Sequence, residues 1–209
     1  MSDIPLRIDA PKTGKPLLTI VLAHGAGAGM DSAFMKEVAE ALAAASFRVV
    51  RFEFPYMQEA RVTRKRTRPD PPAVLEETWF RVIEQAGPAG TLVIGGKSMG
   101  GRIASMVADR AGVKGLVCLG YPFHPAGRPG TLRVAHLEKL GTRTLIVQGT
   151  RDTLGSREEI AGYTLSSSIR LLYLDDGDHS FKPRKSSGRT YEQNFTQAVE
   201  TIAEFCRGL

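Results

Sequence analysis

Cysteine is nearly absent: Cys118 and Cys206 are the only two in 209 residues. They stand far apart and no C-x-x-C pair occurs, so neither a disulfide framework nor a zinc site is indicated. Both read as small buried hydrophobes. Long apolar runs are missing too. None approaches the roughly 20 residues that cross a bilayer, and the opening MSDIPLRIDAPKTGKP lacks the apolar core of a signal peptide. The expected setting is cytoplasmic, with no membrane association. Acid is short relative to base: Lys and Arg total 28 against 22 Asp and Glu, a net charge of +6. Most of the excess is one stretch, RVTRKRTR (61–68), with five positive charges and no acid. A local patch is not the uniformly basic surface of a nucleic-acid binder, so no nucleic-acid partner is expected.

What is present is the composition of an ordinary globular protein, long enough for one domain over 1–209. No internal repeat is visible. Short apolar runs alternate with amphipathic stretches. Strands are expected at 17–25, 47–55 (stopped by Pro55), 91–96, 115–122, 142–149 and 169–177. Helices are expected at 32–45, 73–87, 99–112, 156–165 and 191–206, the last turning Phe195, Val199, Ile202 and Phe205 inward. Near-continuous apolar strands separated by helices mean a mostly parallel sheet with helices on both faces, an α/β fold. Ligands bind such a sheet beyond the carboxyl ends of its strands.

One stretch there, TLVIGGKSMGGRIA (91–104), has two readings. GKS closes a phosphate-binding P-loop, which would make Lys97 a phosphate ligand. GKSMG is also G-x-S-x-G, the turn that presents a serine nucleophile, which would leave Lys97 a bystander. A P-loop needs a glycine at position 91, which is Thr91, and its loop positions are filled here by the strand LVIG. The nucleophile turn fits. It is sharp and strained, so residues two before and two after the serine must be small, as Gly96 and Gly100 are. Ser98 needs a base, and the base needs an orienting carboxylate. The chain order Ser, acid, His is supplied by Asp152 in LIVQGTRD and His179 in LLYLDDGDHSF, each just past a strand. Asp175, Asp176 and Asp178 compete with Asp152 for the acid role, or shape the turn before His179. An oxyanion hole takes one N–H from Met99. The second comes from AHGAGAGM (23–30), with Ala26 the leading donor and Gly27 the next.

Together HGAGAG, GKSMGG, GTRD and GDHSF resemble the α/β-hydrolase superfamily. They most resemble its small, lidless branch, near the dienelactone-hydrolase-like proteins and the hydrolase-like subunit of a chromatin-modifying complex. The resemblance runs from about Leu17 to the last helix. It implies a mostly parallel sheet of about eight strands or slightly fewer, with no large lid. It places nucleophile, acid and base on Ser98, Asp152 and His179, and the oxyanion donors on Met99 and Ala26. Dienelactone hydrolases proper carry cysteine where this chain has Ser98.

Other residues read more plainly. His24 braces the oxyanion turn, His124 lines the pocket or caps a loop, and His136 is a surface helix residue. GAGAG is not a dinucleotide fingerprint, because position 30 is Met30. About 20 residues after Pro122 leave room for one short helix and no lid. Tyr56, Met57, Tyr121 and Phe123 are candidate pocket walls. The expected function is a serine hydrolase of the carboxylesterase or thioesterase type, needing no cofactor and no metal. Its substrate would be a small ester or thioester, anionic if the basic stretch and KPRK (182–185) rim the site. A peptidase or acyltransferase would use the same residues. The alternative is a non-catalytic interaction protein with this fold that docks partners through its basic loop.

Overall fold

The computed structural model describes residues 3–209. In chain order the elements are β1 (Leu6–Asp9), β2 (Thr19–Ala23), α1 (Ala33–Ala44), β3 (Arg48–Phe52), α2 (Pro55–Thr63), α3 (Pro72–Ala86), β4 (Leu92–Lys97), α4 (Met99–Ala111), β5 (Gly115–Leu119), β6 (Thr144–Gly149), α5 (Arg157–Ile160), β7 (Ile169–Leu174) and α6 (Tyr191–Arg207). The seven strands form one sheet in the order β1-β3-β2-β4-β5-β6-β7. Only β1 is antiparallel, pairing Leu6 with Phe52 and Asp9 with Val49. The rest of the ladder is parallel.

The apolar strands are continuous because both faces are covered. Alternate residues of one strand feed two different cores. Val21 and Ala23 of β2 pack with Leu75, Trp79 and Val82 of α3 and Ile103 of α4. Ile20 and Leu22 pack with Val38 and Leu42 of α1 and Ile202 of α6. Phe52 meets Trp79 edge-to-face, 4.8 Å between ring centroids, and such a buried aromatic pair adds about 0.5–1.5 kcal/mol beyond its area. α6 buries Ile202 and Phe205 as expected, together with Asn194, Ala198 and Cys206, while Phe195 and Val199 pack partly buried at the core's margin.

Three elements differ from the sequence reading, the first being α5, which ends at Ile160 instead of running on to 165. β1 is an extra strand, short and half exposed, on the sheet's edge. Pro55 does not merely stop β3; it is the first residue of α2, a position where its missing N–H and fixed φ suit a helix start. The basic stretch therefore begins in a helix, and only residues after the left-handed Arg64 are loop. Residues 120–143 contain turns and bends but no helix, so His136 sits in a turn and not on a surface helix. No helix among the described residues is long and apolar enough to cross a membrane.

Candidate active site

Ser98 sits between β4 and α4 with φ 51° and ψ −117°. A residue with a Cβ meets steric conflict there, worth about 1–3 kcal/mol of strain. The turn closes because its flanks carry no side chains. A Cβ on Gly96 would lie 2.1 Å from the Ala23 carbonyl oxygen, and one on Gly100 2.5 Å from that same atom. The Ser98 N–H donates to the Leu119 carbonyl at 3.0 Å, which pins the turn to β5.

Asp152 follows β6 and His179 follows β7. His179 Nδ1 donates to Asp152 Oδ2 at 2.7 Å. An ionised carboxylate only accepts, so Nδ1 carries a proton, and in the neutral ring it is Nε2 that bears the lone pair. Asp152 is fully buried and held from two more directions: Gln148 Nε2 reaches Oδ2 at 2.9 Å and the Leu154 N–H reaches Oδ1 at 2.9 Å. Two of the three competing acids are engaged elsewhere, and the third, Asp175, is exposed. Asp178 Oδ1 accepts the N–H groups of Ser180 at 2.7 Å and Lys182 at 3.0 Å, which folds the turn around His179. Asp176 pairs with Arg151 and Arg184. Buried Asn194 fastens that turn to α6 by donating to the Phe181 carbonyl at 2.9 Å. Ser98 Oγ has no hydrogen bond to His179 among the described residues; such bonds often tighten only when substrate is bound.

Ser98, Met99 and Ala26 line one cavity of about 390 Å³, whose apolar walls include Leu75, Ile103 and Leu154. Neither the Ala26 nor the Met99 N–H is spent on a protein acceptor among the described residues. The loop that carries Ala26 is braced from beneath. His24 Nδ1 donates to the Gly25 carbonyl at 2.7 Å, and its Nε2 accepts the Phe54 N–H at 3.2 Å. Burial pushes the pKa of His24 below its ordinary value, so it braces as a neutral ring. Tyr56 donates to the Ala26 carbonyl at 3.2 Å. Buried Glu53 accepts the Met30 N–H at 3.1 Å and pairs with Arg61. The four aromatic and Met wall candidates do not line this cavity. Tyr121 and Phe123 are fully buried core residues, Tyr56 lies under the loop, and Met57 packs on the core. His124 does line it. A larger hollow of about 710 Å³, near Asp9, Lys12 and Ser46, lies by the start of β3, at the opposite end of the sheet. Among the described residues no cluster of His, Cys, Asp and Glu converges as a metal site requires.

The alpha/beta hydrolase domain family matches residues 16–207 of the chain. The chain belongs to that family. This α/β hydrolase is also similar to solved structures. A lidless α/β serine hydrolase from Xanthomonas campestris has a TM-score of 0.62 at 16% identity, covering 97% of this chain and 86% of its own. Dienelactone hydrolase from Anabaena variabilis has 0.66 at 21%, covering 96% and 89%. Est1E from Butyrivibrio proteoclasticus with ferulic acid bound has 0.70 at 15%, covering 96% and 94%. At such identities the likeness is one of fold.

A second serine–histidine pair occurs in this α/β hydrolase. Ser105 Oγ lies 2.8 Å from His136 Nε2. Ser105 is buried inside α4, where its hydroxyl also donates to the Arg102 carbonyl at 2.7 Å. It has no strained turn to present it, and among the described residues no carboxylate bonds His136. The pair ties α4 to the 120–143 segment.

Lys97 is not a bystander. Its Nζ donates to the backbone carbonyl of His179 at 2.6 Å and lies over the Phe34 ring, 5.6 Å from the centroid. It thus ties the residue before Ser98 to the turn that holds His179. Burial lowers its pKa from 10.5 to about 8, against opposing pulls from Asp152 and Asp178. Between those values the unfolded chain binds more protons than the native one, so this site's contribution to stability rises with pH across that window and is lost as pH falls through about 8. Urea unfolding should therefore show the stability of the unmodified protein, relative to Lys97→Met, improving from pH 8 to 10.5. A difference that stays flat over the range contradicts a desolvated ammonium at this place.

Proposed function

We propose that this α/β hydrolase is a serine hydrolase that cleaves carboxylic esters or thioesters through an acyl-enzyme on Ser98. The observation that carries the reading is the strained serine turn, tied through Lys97 to the turn of a histidine whose Nδ1 is bound, at 2.7 Å, to a buried carboxylate. In the proposed cycle His179 Nε2 takes the Ser98 proton as Oγ attacks the carbonyl carbon. The N–H groups of Met99 and Ala26 hold the oxyanion. Collapse of the tetrahedral adduct expels the alcohol or thiol, which receives the proton from His179. Water, deprotonated in turn by His179, then attacks the acyl carbon, releasing a carboxylic acid and restoring Ser98. Asp152 keeps the imidazole in the tautomer that both half-reactions need. Lys97, through its bond to the His179 carbonyl, is a positioning residue. Ferulic acid, which is bound by the similar Est1E, is itself a carboxylic acid, the product class of this reaction.

A fluorophosphonate probe tests the reading. Covalent labelling that peptide mapping assigns to Ser98 is the expected result. A folded protein that stays unlabelled would favour the non-catalytic alternative, and labelling at Ser105 would move the nucleophile to the second pair.

A further inference from the structure

Among the described residues, all but two of the buried or partly buried guanidinium groups have partners, among them Arg51 on Asp9, Arg151 on Asp176, Arg48 on Thr19 and the Ala86 carbonyl, and Arg189 on Asn194. Arg102 and Arg133 do not. Both line the cavity beside Ser98, both are partly buried, and neither side chain has a hydrogen-bond or ion-pair partner. Arg102 Nε is wholly buried and unsatisfied. Arg133 is pushed below the ordinary guanidinium range, first by burial and then by the charge of Arg102. Two like charges thus share a small, partly apolar space without an acid between them, and an unpaired buried charge is costly. The carboxylate among the lining residues, Asp70, accepts the Tyr56 N–H on Oδ2 at 2.9 Å and makes no ion pair with either arginine.

We propose that Arg102 and Arg133 form a subsite for a carboxylate on the same molecule as the ester that Ser98 attacks. The inference rests on the Ser98 reading and narrows it to esters of acidic compounds. A carboxylate there would satisfy the orphan Arg102 N–H, neutralise the repulsion, and bond the planar guanidinium fork, which suits carboxylate geometry. Arg102 stands one helical turn beyond Met99, so the held carboxylate and the reacting carbonyl share one cavity. The exposed basic loop is a weaker source of the same preference. Arg61 is already paired, and free charges on the surface are screened by salt.

Two matched pairs of esters test this. In the first, the acyl group varies: the 4-nitrophenyl monoester of glutaric acid against that of glutaramic acid. In the second, the leaving group varies: the acetate of 4-hydroxyphenylacetic acid against that of its amide. The expected result is that one carboxylate ester exceeds its amide partner in kcat/KM by about tenfold or more, as charged hydrogen bonds of this kind provide. The ratio should collapse towards one in Arg102→Met and in Arg133→Met. It should survive in about 1 M salt and in the Arg64→Ala, Lys65→Ala, Arg66→Ala triple variant, where a preference due to the rim would vanish. Ratios near one in both pairs, or a ratio unmoved by either Arg→Met change, overturn the subsite while leaving the Ser98 reading intact. If none of the esters is turned over, the Ser98 reading fails. The subsite is then judged by calorimetry: phenylacetate should bind the unmodified protein better than phenylacetamide does, and Arg102→Met should remove the difference. Equal binding of acid and amide would overturn it.

Discussion

Ser98→Ala is expected to lower ester turnover by about 10⁴-fold or more while the protein still folds. Alanine keeps the Cβ, and with it the strained turn, so unfolding free energy should move by no more than roughly 1 kcal/mol. Only the attacking oxygen is lost. The oxyanion donors and the cavity remain, and they set whatever residual rate survives. Ser105→Ala is the matched control. It removes a hydroxyl that bonds His136 and the Arg102 carbonyl, so it should reduce stability slightly and leave turnover within a few fold. Steady-state kinetics on purified samples, checked by thermal melting, decides the matter. Near-full activity in Ser98→Ala would remove this serine from the mechanism.

The second large effect concerns the acid. Asp152→Asn should cost on the order of 10⁴ in kcat, because an amide can donate to Nδ1 and so hold the imidazole in the wrong tautomer. Asp178→Asn should cost far less in turnover. Its Oδ1 serves the Ser180 and Lys182 N–H groups, and an asparagine carbonyl can accept both. The pair of variants therefore separates a residue that orients the base from one that folds the turn around it. Greater damage from Asp178→Asn would assign the roles the other way.

The six parallel strands were legible in the sequence because burial on both faces writes an unbroken apolar run. β1 was not: Leu6-Arg7-Ile8-Asp9 alternates, is short, and has a neighbour on one side only. α2 was hidden because a single residue of it, Tyr56, is buried, leaving no apolar periodicity to read. Ser98, Asp152 and His179 could be picked out because strand ends and chain order constrain them. Sequence favours Asp152 over Asp178 because it alone follows the preceding strand, β6; the structure adds the partners, His179 for Asp152 and the Ser180 and Lys182 N–H groups for Asp178. Arg102 and Arg133 gave no sequence signal. An arginine's letter does not say whether an acid stands opposite it, and these two are 31 positions apart.

The segment 120–143 has a further consequence. Phe123 and Val134 anchor it in the core, while residues 126–132 between them are exposed and join no strand or helix. Yet this arc leads directly into Arg133 and follows His124, both of which line the cavity. In the proposed reading the reacting groups follow β4, β6 and β7, whereas part of the proposed carboxylate subsite hangs on a surface span. Lengthening such a span carries little entropic penalty. A graft between the two anchors could therefore retune which acids are admitted, or roof the open mouth with a cap, without redesigning the catalytic scaffold beneath.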